Sequence, residues 1–278
     1  MMNVHDRCRD PRSRRAIAWT IVALAGLFTW WCGERIEDRL GQRGWFTGYA
    51  LLALCLCMLL LSLRKRLLVL PLGRVAYWLQ FHQYIGAFAM LVFIMHAGWT
   101  FHGVLETTLA IAFLLISFSG IVLAYLNRTC PRKLAAAGAS PLIHDIPFLR
   151  RRIAQQAFRL ALASAGKLES ACLSEHYTRE LVRFFQRPRT LAYCLIPTGR
   201  HRRRILGNLD RLDRYLDPPG RQQRDQMCQL VRAKDDLDFQ WAMQQRLRWW
   251  QVVHVSLIWF FMVLMFLHAL LVHRFHGN

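Results

Sequence analysis

His82-Gln83-Tyr84-Ile85-Gly86-Ala87-Phe88-Ala89-Met90-Leu91-Val92-Phe93-Ile94-Met95-His96 is an apolar run with a histidine at each end. His254-Val255-Ser256-Leu257-Ile258-Trp259-Phe260-Phe261-Met262-Val263-Leu264-Met265-Phe266-Leu267-His268 repeats the arrangement at the same spacing of 14. At about 1.5 Å and 100° per residue, 14 positions advance about 21 Å along an α-helix and return to nearly the same face. Each segment therefore reads as a helix carrying two imidazoles on one stripe. Histidine inside a bilayer is expensive and marks a functional site by default.

Working outward, the 278 residues are 54% hydrophobic and carry a formal charge of +20. That combination fits a membrane protein whose charge sits on one side. A nucleic-acid reading fails on distribution: no aromatic–basic stacking module occurs, and the apolar segments are too long. The cysteines form neither CxxC nor CxxCH, which argues against covalent c-type haem, zinc and iron–sulfur sets. Cys55 and Cys57 read as small core residues. Cys130, Cys172, Cys194 and Cys228 read as free thiols on the cytosolic side.

A bilayer span needs about 20 apolar residues. Five segments qualify, at roughly 16–33, 45–63, 77–100, 107–126 and 249–273. The first follows Arg12, Arg14 and Arg15 and ends in Trp30-Trp31, so it reads as an uncleaved span rather than a signal peptide. Leu67–Gly73 reads as a short interfacial stretch broken by Pro71 and Gly73. Charge then orients the chain. Residues 1–15, 64–74 and 127–248 hold 5, 4 and 24 of the 37 Lys/Arg, or 33 in all. With five spans these blocks share one side, which the positive-inside rule makes cytosolic; the C-terminus then lies outside, across a bacterial inner membrane.

The chain divides into spans 1–4 with a basic arm (1–126), a basic insert (127–248) and the last span with a short tail (249–278). In the insert, Ile146–Ala165, Glu175–Phe185 and Ile205–Leu216 have helical spacing. Pro147, Pro188, Pro197 and Pro218-Pro219-Gly220 punctuate the pieces. A short strand is expected near Leu191–Ile196. From Arg221 to Trp250 an amphipathic helix runs into the last span, with Leu237 and Trp241 on one face. This helix is expected to couple the insert to the redox site. The expected fold is thus an all-α membrane protein, a five-helix bundle with a mostly helical cytosolic insert.

The histidines also match in depth. His82 follows Arg74 by eight residues, and His254 follows Arg248 by six, about 12 and 9 Å along a helix. His268 precedes Arg274 by six. The third and fifth spans run parallel, so His82 is expected to face His254 and His96 to face His268. A lone intramembrane histidine is commonly a packing hydrogen bond. Two pairs at equal spacing and matched depth suit the axial ligation of b-type haem iron instead, and two haems b are expected. Gly86 and Ala89 share the ligand face and would let a flat macrocycle approach. Gly120, with Ser117 and Ser119, gives the fourth span a small face that helix contact explains equally well. Arg74, Arg246, Arg248 and Arg274, with His273, are candidates to hold propionates, and the arginines serve equally as topological anchors. His102, His273 and His276 lie at the outer rim. His5, His144, His176 and His201 receive no role.

The chain at this point resembles the membrane di-haem cytochromes b, in which paired histidines about 14 apart on two non-adjacent helices hold two stacked haems. Gly73-Arg74-Val75-Ala76-Tyr77-Trp78-Leu79-Gln80-Phe81-His82-Gln83-Tyr84-Ile85-Gly86 is similar to the entry of the ligand helix in ferric-reductase-type domains. The likeness covers about 77–126 and 249–273. Ferric reductases and NADPH oxidases add a sixth span with flavin and nicotinamide domains, which this sequence lacks, as it lacks the Pro-Glu-Trp triplet of quinol-oxidation sites. Ala165-Gly166-Lys167 is only a fragment of a phosphate-loop pattern.

The resemblance implies an electron-carrying subunit. It would work between a quinone pool or cytosolic donor and an outer acceptor, beside flavin, iron–sulfur or cytochrome c proteins. The basic insert would lie on anionic lipid or dock an acidic redox protein. The rivals are a self-sufficient quinol dehydrogenase or ferric reductase, and a haem-free anchor.

Overall fold

The structure, a computed structural model, describes residues 11–38, 43–66, 74–98, 103–136, 143–166 and 171–275. Those residues are almost all helical, with no strand among them. The α-helices are α1 (Pro11–Asp38), α2 (Arg43–Arg66), α3 (Val75–Ala97), α4 (Val104–Ala136), α5 (Ile146–Ala165) and α6 (Ala171–His176), followed by a π-helical turn at Tyr177–Leu181. After it come α7 (Val182–Gln186), α8 (Leu191–Leu195), α9 (Arg200–Arg211) with a 3-10 turn at Leu212–Tyr215, and α10 (Pro218–Phe275). Leu67–Gly73, His5, His102 and His276 fall outside the described residues.

Stretches within α1, α2, α3, α4 and α10 are long and apolar enough to cross a membrane. Large apolar side chains stand exposed along them, including Phe28, Ile121, Val263 and Leu270. On a protein in water such surface would be a liability; facing lipid it is not.

The chain forms two compact units, Met1–Ile121 with His254–Asn278, and Val122–Val253. In the first, α2 packs on α3, and α1 packs on both. Its apolar core gathers Cys55 of α2, Ala89 of α3, Ala112 and Phe113 of α4, and Phe261, Met262 and Met265 of α10. Phe93 stacks on Phe113 at 4.3 Å between ring centres, and Phe261 tilts against Phe113 at 5.7 Å. Ala89 and Phe261 are each seven residues from both histidines of their own helix, so this core lies midway between the two histidine levels. Gly98 closes α3 at φ 59, a left-handed value that favours glycine, and its N–H bonds the Ile94 carbonyl.

The second unit is built around α5, α6, the π turn, α7, α9 and the start of α10. Leu173, Tyr177, Leu181, Phe184, Ile205, Leu209, Met227 and Val231 form its core. A second cluster joins Leu126 and Cys130 of α4 to Met243 of α10.

One expectation changes here. Leu191–Leu195 is one turn of helix rather than a strand. The alternation Leu191, Tyr193, Leu195 spans too few residues to separate the two periods, and no other strand among the described residues is there to pair with it. Pro218-Pro219-Gly220 separates the 3-10 turn from α10 and forms the first residues of that helix. Asp217 accepts the Gly220 N–H at 2.9 Å, and the two prolines fill first-turn positions whose N–H groups would have no helical partner. Helix α10 then continues for 58 residues, about 87 Å.

Leu237 is buried, and Trp241 lies under the Arg150 guanidinium at 5.1 Å, so this face of α10 packs within the second unit. The seven described cysteines are all free thiols.

Candidate functional site

His82 of α3 and His254 of α10 meet inside the first unit. Their ring centres are 6.5 Å apart, and the planes cross at 81°. His254 is 9% exposed, and His82 is half-buried. The other ends of the same two helices bring His96 and His268 close enough for their charges to interact.

Each level has a hydroxyl that orients one imidazole. Ser119 Oγ of α4 lies 2.8 Å from His254 Nδ1, and the hydroxyl donates to the Ile116 carbonyl at 2.8 Å. Thr47 Oγ1 of α2 lies 3.1 Å from His96 Nδ1, and it donates to the Arg43 carbonyl at 3.0 Å. A hydroxyl has one proton. Where that proton goes to the backbone carbonyl, the oxygen accepts from the imidazole and Nδ1 carries the hydrogen. In that tautomer Nε2 is the nitrogen able to bind a metal.

The residue after each hydroxyl is a glycine, and in both cases the ring edge lies against it. A Cβ at Gly48 would come within 3.0 Å of His96 Cε1, and one at Gly120 within 3.4 Å of His254 Cε1. Thr47-Gly48 and Ser119-Gly120 are the only hydroxyl–glycine dipeptides in the five apolar segments. The hydroxyl sets the tautomer, and the glycine makes room for the ring. Thr47 and Gly48 carry no role in the sequence reading, and Ser119 and Gly120 enter it only as a small packing face. The repeated dipeptide is the signal that would have found all four.

The other candidates are placed as follows. Ala89 is fully buried in the apolar core, and the α-carbon of Gly86 faces Met58, whose sulfur a Cβ would meet at 3.7 Å. Arg74 stands exposed at the start of α3, and Arg274 stands exposed near the end of α10. Half-buried Arg246 and exposed Arg248 are also on α10 but belong to the second unit. His273 is held by Tyr49, whose hydroxyl is 3.0 Å from Nε2, and by the edge-on ring of Trp45. No group of three or more His, Cys, Asp or Glu able to hold a metal ion occurs among the described residues. Comparison with family models, curated proteins and solved structures finds no match for this chain.

Proposed function

We propose that the first unit holds two b-type haems, one between His82 and His254 and one between His96 and His268, and carries electrons across a membrane. The observation that carries this reading is the ring separation of 6.5 Å at the first pair. Two imidazoles on opposite sides of one metal, each nitrogen about 2 Å from it, have ring centres about 6–6.5 Å apart. Direct aromatic packing would not call for a hydroxyl fixing the tautomer.

Two further points support a haem over a bare ion. A pair of nitrogens alone is a poor metal site, so four more ligands must come from elsewhere, and a porphyrin supplies them. The histidines also sit in apolar segments without a matching carboxylate, which suits a cofactor that brings its own ring and its own counter-charge. Bound haem iron would supply a one-electron couple, tuned by its axial ligands and burial.

The chain's own residues do the rest. Ser119 and Thr47 hold Nδ1, Gly120 and Gly48 accept the ring edges, and the Phe93–Phe113–Phe261 core excludes water between the levels. Arg74 at the start of α3 and Arg274 near the end of α10 flank the ligand segments and would face propionates. The basic blocks at 1–15, 64–74 and 127–248 favour a cytosolic insert and an outer C-terminus. Donor and acceptor would then be a quinone or cytosolic reductant and an outer redox partner. Dithionite-reduced minus oxidised spectra and a pyridine haemochrome assay on purified protein test the proposal. The expected result is two haems b per chain; folded protein with no haem after expression with ample haem supply would overturn it.

A further inference from the structure

The second unit contains a cavity of about 620 Å3 between the π-helical turn, α7, α8, α9 and α10. Its walls carry six Arg and Lys side chains and one carboxylate, Glu180. Glu180 is occupied by the Asn208 amide at 2.9 Å. The aspartates behind the cavity are occupied too. Asp238, fully buried, pairs with Lys234 and Arg189; Asp235 pairs with Arg189 at 2.6 Å, and Asp236 with Arg202 at 3.0 Å. Arg183, Arg187 and Arg204 line the same cavity and form no ion pair among the described residues. Three arginines thus line the cavity without an ion-pair partner among the described residues.

The wall is also built rather than fringed. Buried Lys234 donates to the Arg187 carbonyl at 3.3 Å, tying the segment after α7 to α10. Arg189 stacks over Phe184 and Tyr193, at 5.2 and 4.9 Å from the ring centres. Burial first, and then the carboxylate of Asp235, push the Tyr193 phenol up to about 12, so it remains a neutral O–H. The π turn at Tyr177–Leu181 opens the helix at the point where Arg179 and Glu180 enter the wall, and such turns recur at functional sites.

We infer that this cavity binds a multiply charged phosphate-class anion, held by Arg183, Arg187 and Arg204. Planar guanidinium groups pair phosphate oxygens two at a time, which distinguishes this site from a merely basic surface. The volume is of the size of a small-molecule site and exceeds what a single inorganic phosphate fills. The same chemistry could come from a soluble phosphate ester or from a lipid phosphate headgroup. The inference stands apart from the haem reading, since every residue it uses lies in the second unit.

The experiment uses the full chain in phosphatidylcholine nanodiscs, titrated with inorganic pyrophosphate by calorimetry. In parallel, protein purified in a mixture of phosphatidylcholine and phosphatidic acid is examined for retained lipid by native mass spectrometry. Arg183→Gln and Arg204→Gln should each weaken pyrophosphate about tenfold, as loss of a charge-assisted contact does. Arg151→Gln, exposed on α5 and outside the cavity, should leave affinity unchanged. Both cavity residues are exposed, and thermal melts confirm that the variants fold. Retention of phosphatidic acid that is lost in Arg183→Gln/Arg204→Gln, with no response to pyrophosphate, assigns the site to lipid. Absence of both signals overturns the inference. So does an equal loss of affinity in Arg151→Gln, which would mean diffuse charge attraction.

Discussion

The two units bury polar groups in opposite ways. In the first, buried Thr47 and Ser119 each meet an imidazole, and buried Thr29 bonds back to the Ala25 carbonyl of its own helix. In the second, Lys234, Asp235 and Asp238 are buried as charged groups and shared, beside neutral Ser164 and Gln240. Asp238 takes Lys234 and Arg189 and has Arg150 Nη2 at 2.8 Å from Oδ1, a contact that is coulombic rather than hydrogen-bonded. A lipid-facing bundle cannot shed a net charge into solvent, so it confines polarity to groups that orient something. The second unit instead holds its buried charges in an ionic network.

The largest effect is expected at the ring pair. His82→Ala and His254→Ala should each abolish the same one of two haem signals in the reduced-minus-oxidised spectrum. His96→Ala and His268→Ala should abolish the other. Loss of a common signal in His82→Ala and His268→Ala would instead pair the histidines diagonally and remove the parallel arrangement of α3 and α10. Next comes the ionic network. Asp238→Ala leaves Lys234 as a buried cation without its carboxylate, and breaking a buried pair in this way costs about 3–5 kcal/mol. Amide hydrogen exchange across α5, α7 and α8 measures it. Wild-type protection in the variant would show that the network is not what holds this unit.

The helical architecture was largely legible in the sequence, because hydrophobic runs of this length leave little choice. Ile146–Ala165 and the run-through of the amphipathic helix into the last apolar segment came from spacing alone. Leu191–Leu195 was misread because one short turn satisfies both periods. The last helix starts at Pro218 rather than Arg221, because Asp217 accepts the Gly220 N–H and prolines fit a first turn. For the candidate site, spacing was enough to find four histidines, since 14 positions is a property of one helix. It was not enough to find Thr47, Gly48 and the bond from Ser119 to His254. Those depend on which helices are neighbours, and the register between α2 and α3, or α4 and α10, is set by packing. The basic cavity was invisible for the same reason: Arg183 and Arg204 are 21 positions apart and meet only in the fold.

A smaller effect is expected where the hydroxyls act. Ser119→Ala and Thr47→Ala remove the acceptor at Nδ1 and free the ring to choose the wrong tautomer. Loss of such a supporting contact typically costs about 10–100-fold in metal affinity. Transfer of haem to a competing apoprotein should accelerate at one level only in each variant, and Thr47→Ser should restore the outer one. Gly48→Ala tests the companion residue. Its Cβ would lie 3.0 Å from His96 Cε1, so the outer signal should shift or weaken while the inner one is unchanged. Equal effects on both levels would mean general loosening of the bundle.

The smallest expected effect is a pH dependence confined to the second unit. His176, at the end of α6, has its Nε2 buried without a hydrogen-bond partner among the described residues. Burial lowers its pKa below the usual 6.5, and the Glu180 carboxylate only partly opposes the shift. The folded form therefore binds a proton less readily than the unfolded chain. As pH falls below about 6.5, the unfolded state takes up the proton first, and stability declines until the folded pKa is passed; above that window the imidazole is neutral in both states and costs nothing. His176→Gln keeps a polar side chain of related size and removes the titration. Urea unfolding of the second unit, followed by hydrogen exchange between pH 5 and 7, should lose part of its acid sensitivity in the variant. If Glu180 outweighed burial, the slope would have the opposite sign, and wild-type protein would gain stability over the variant as the pH is lowered.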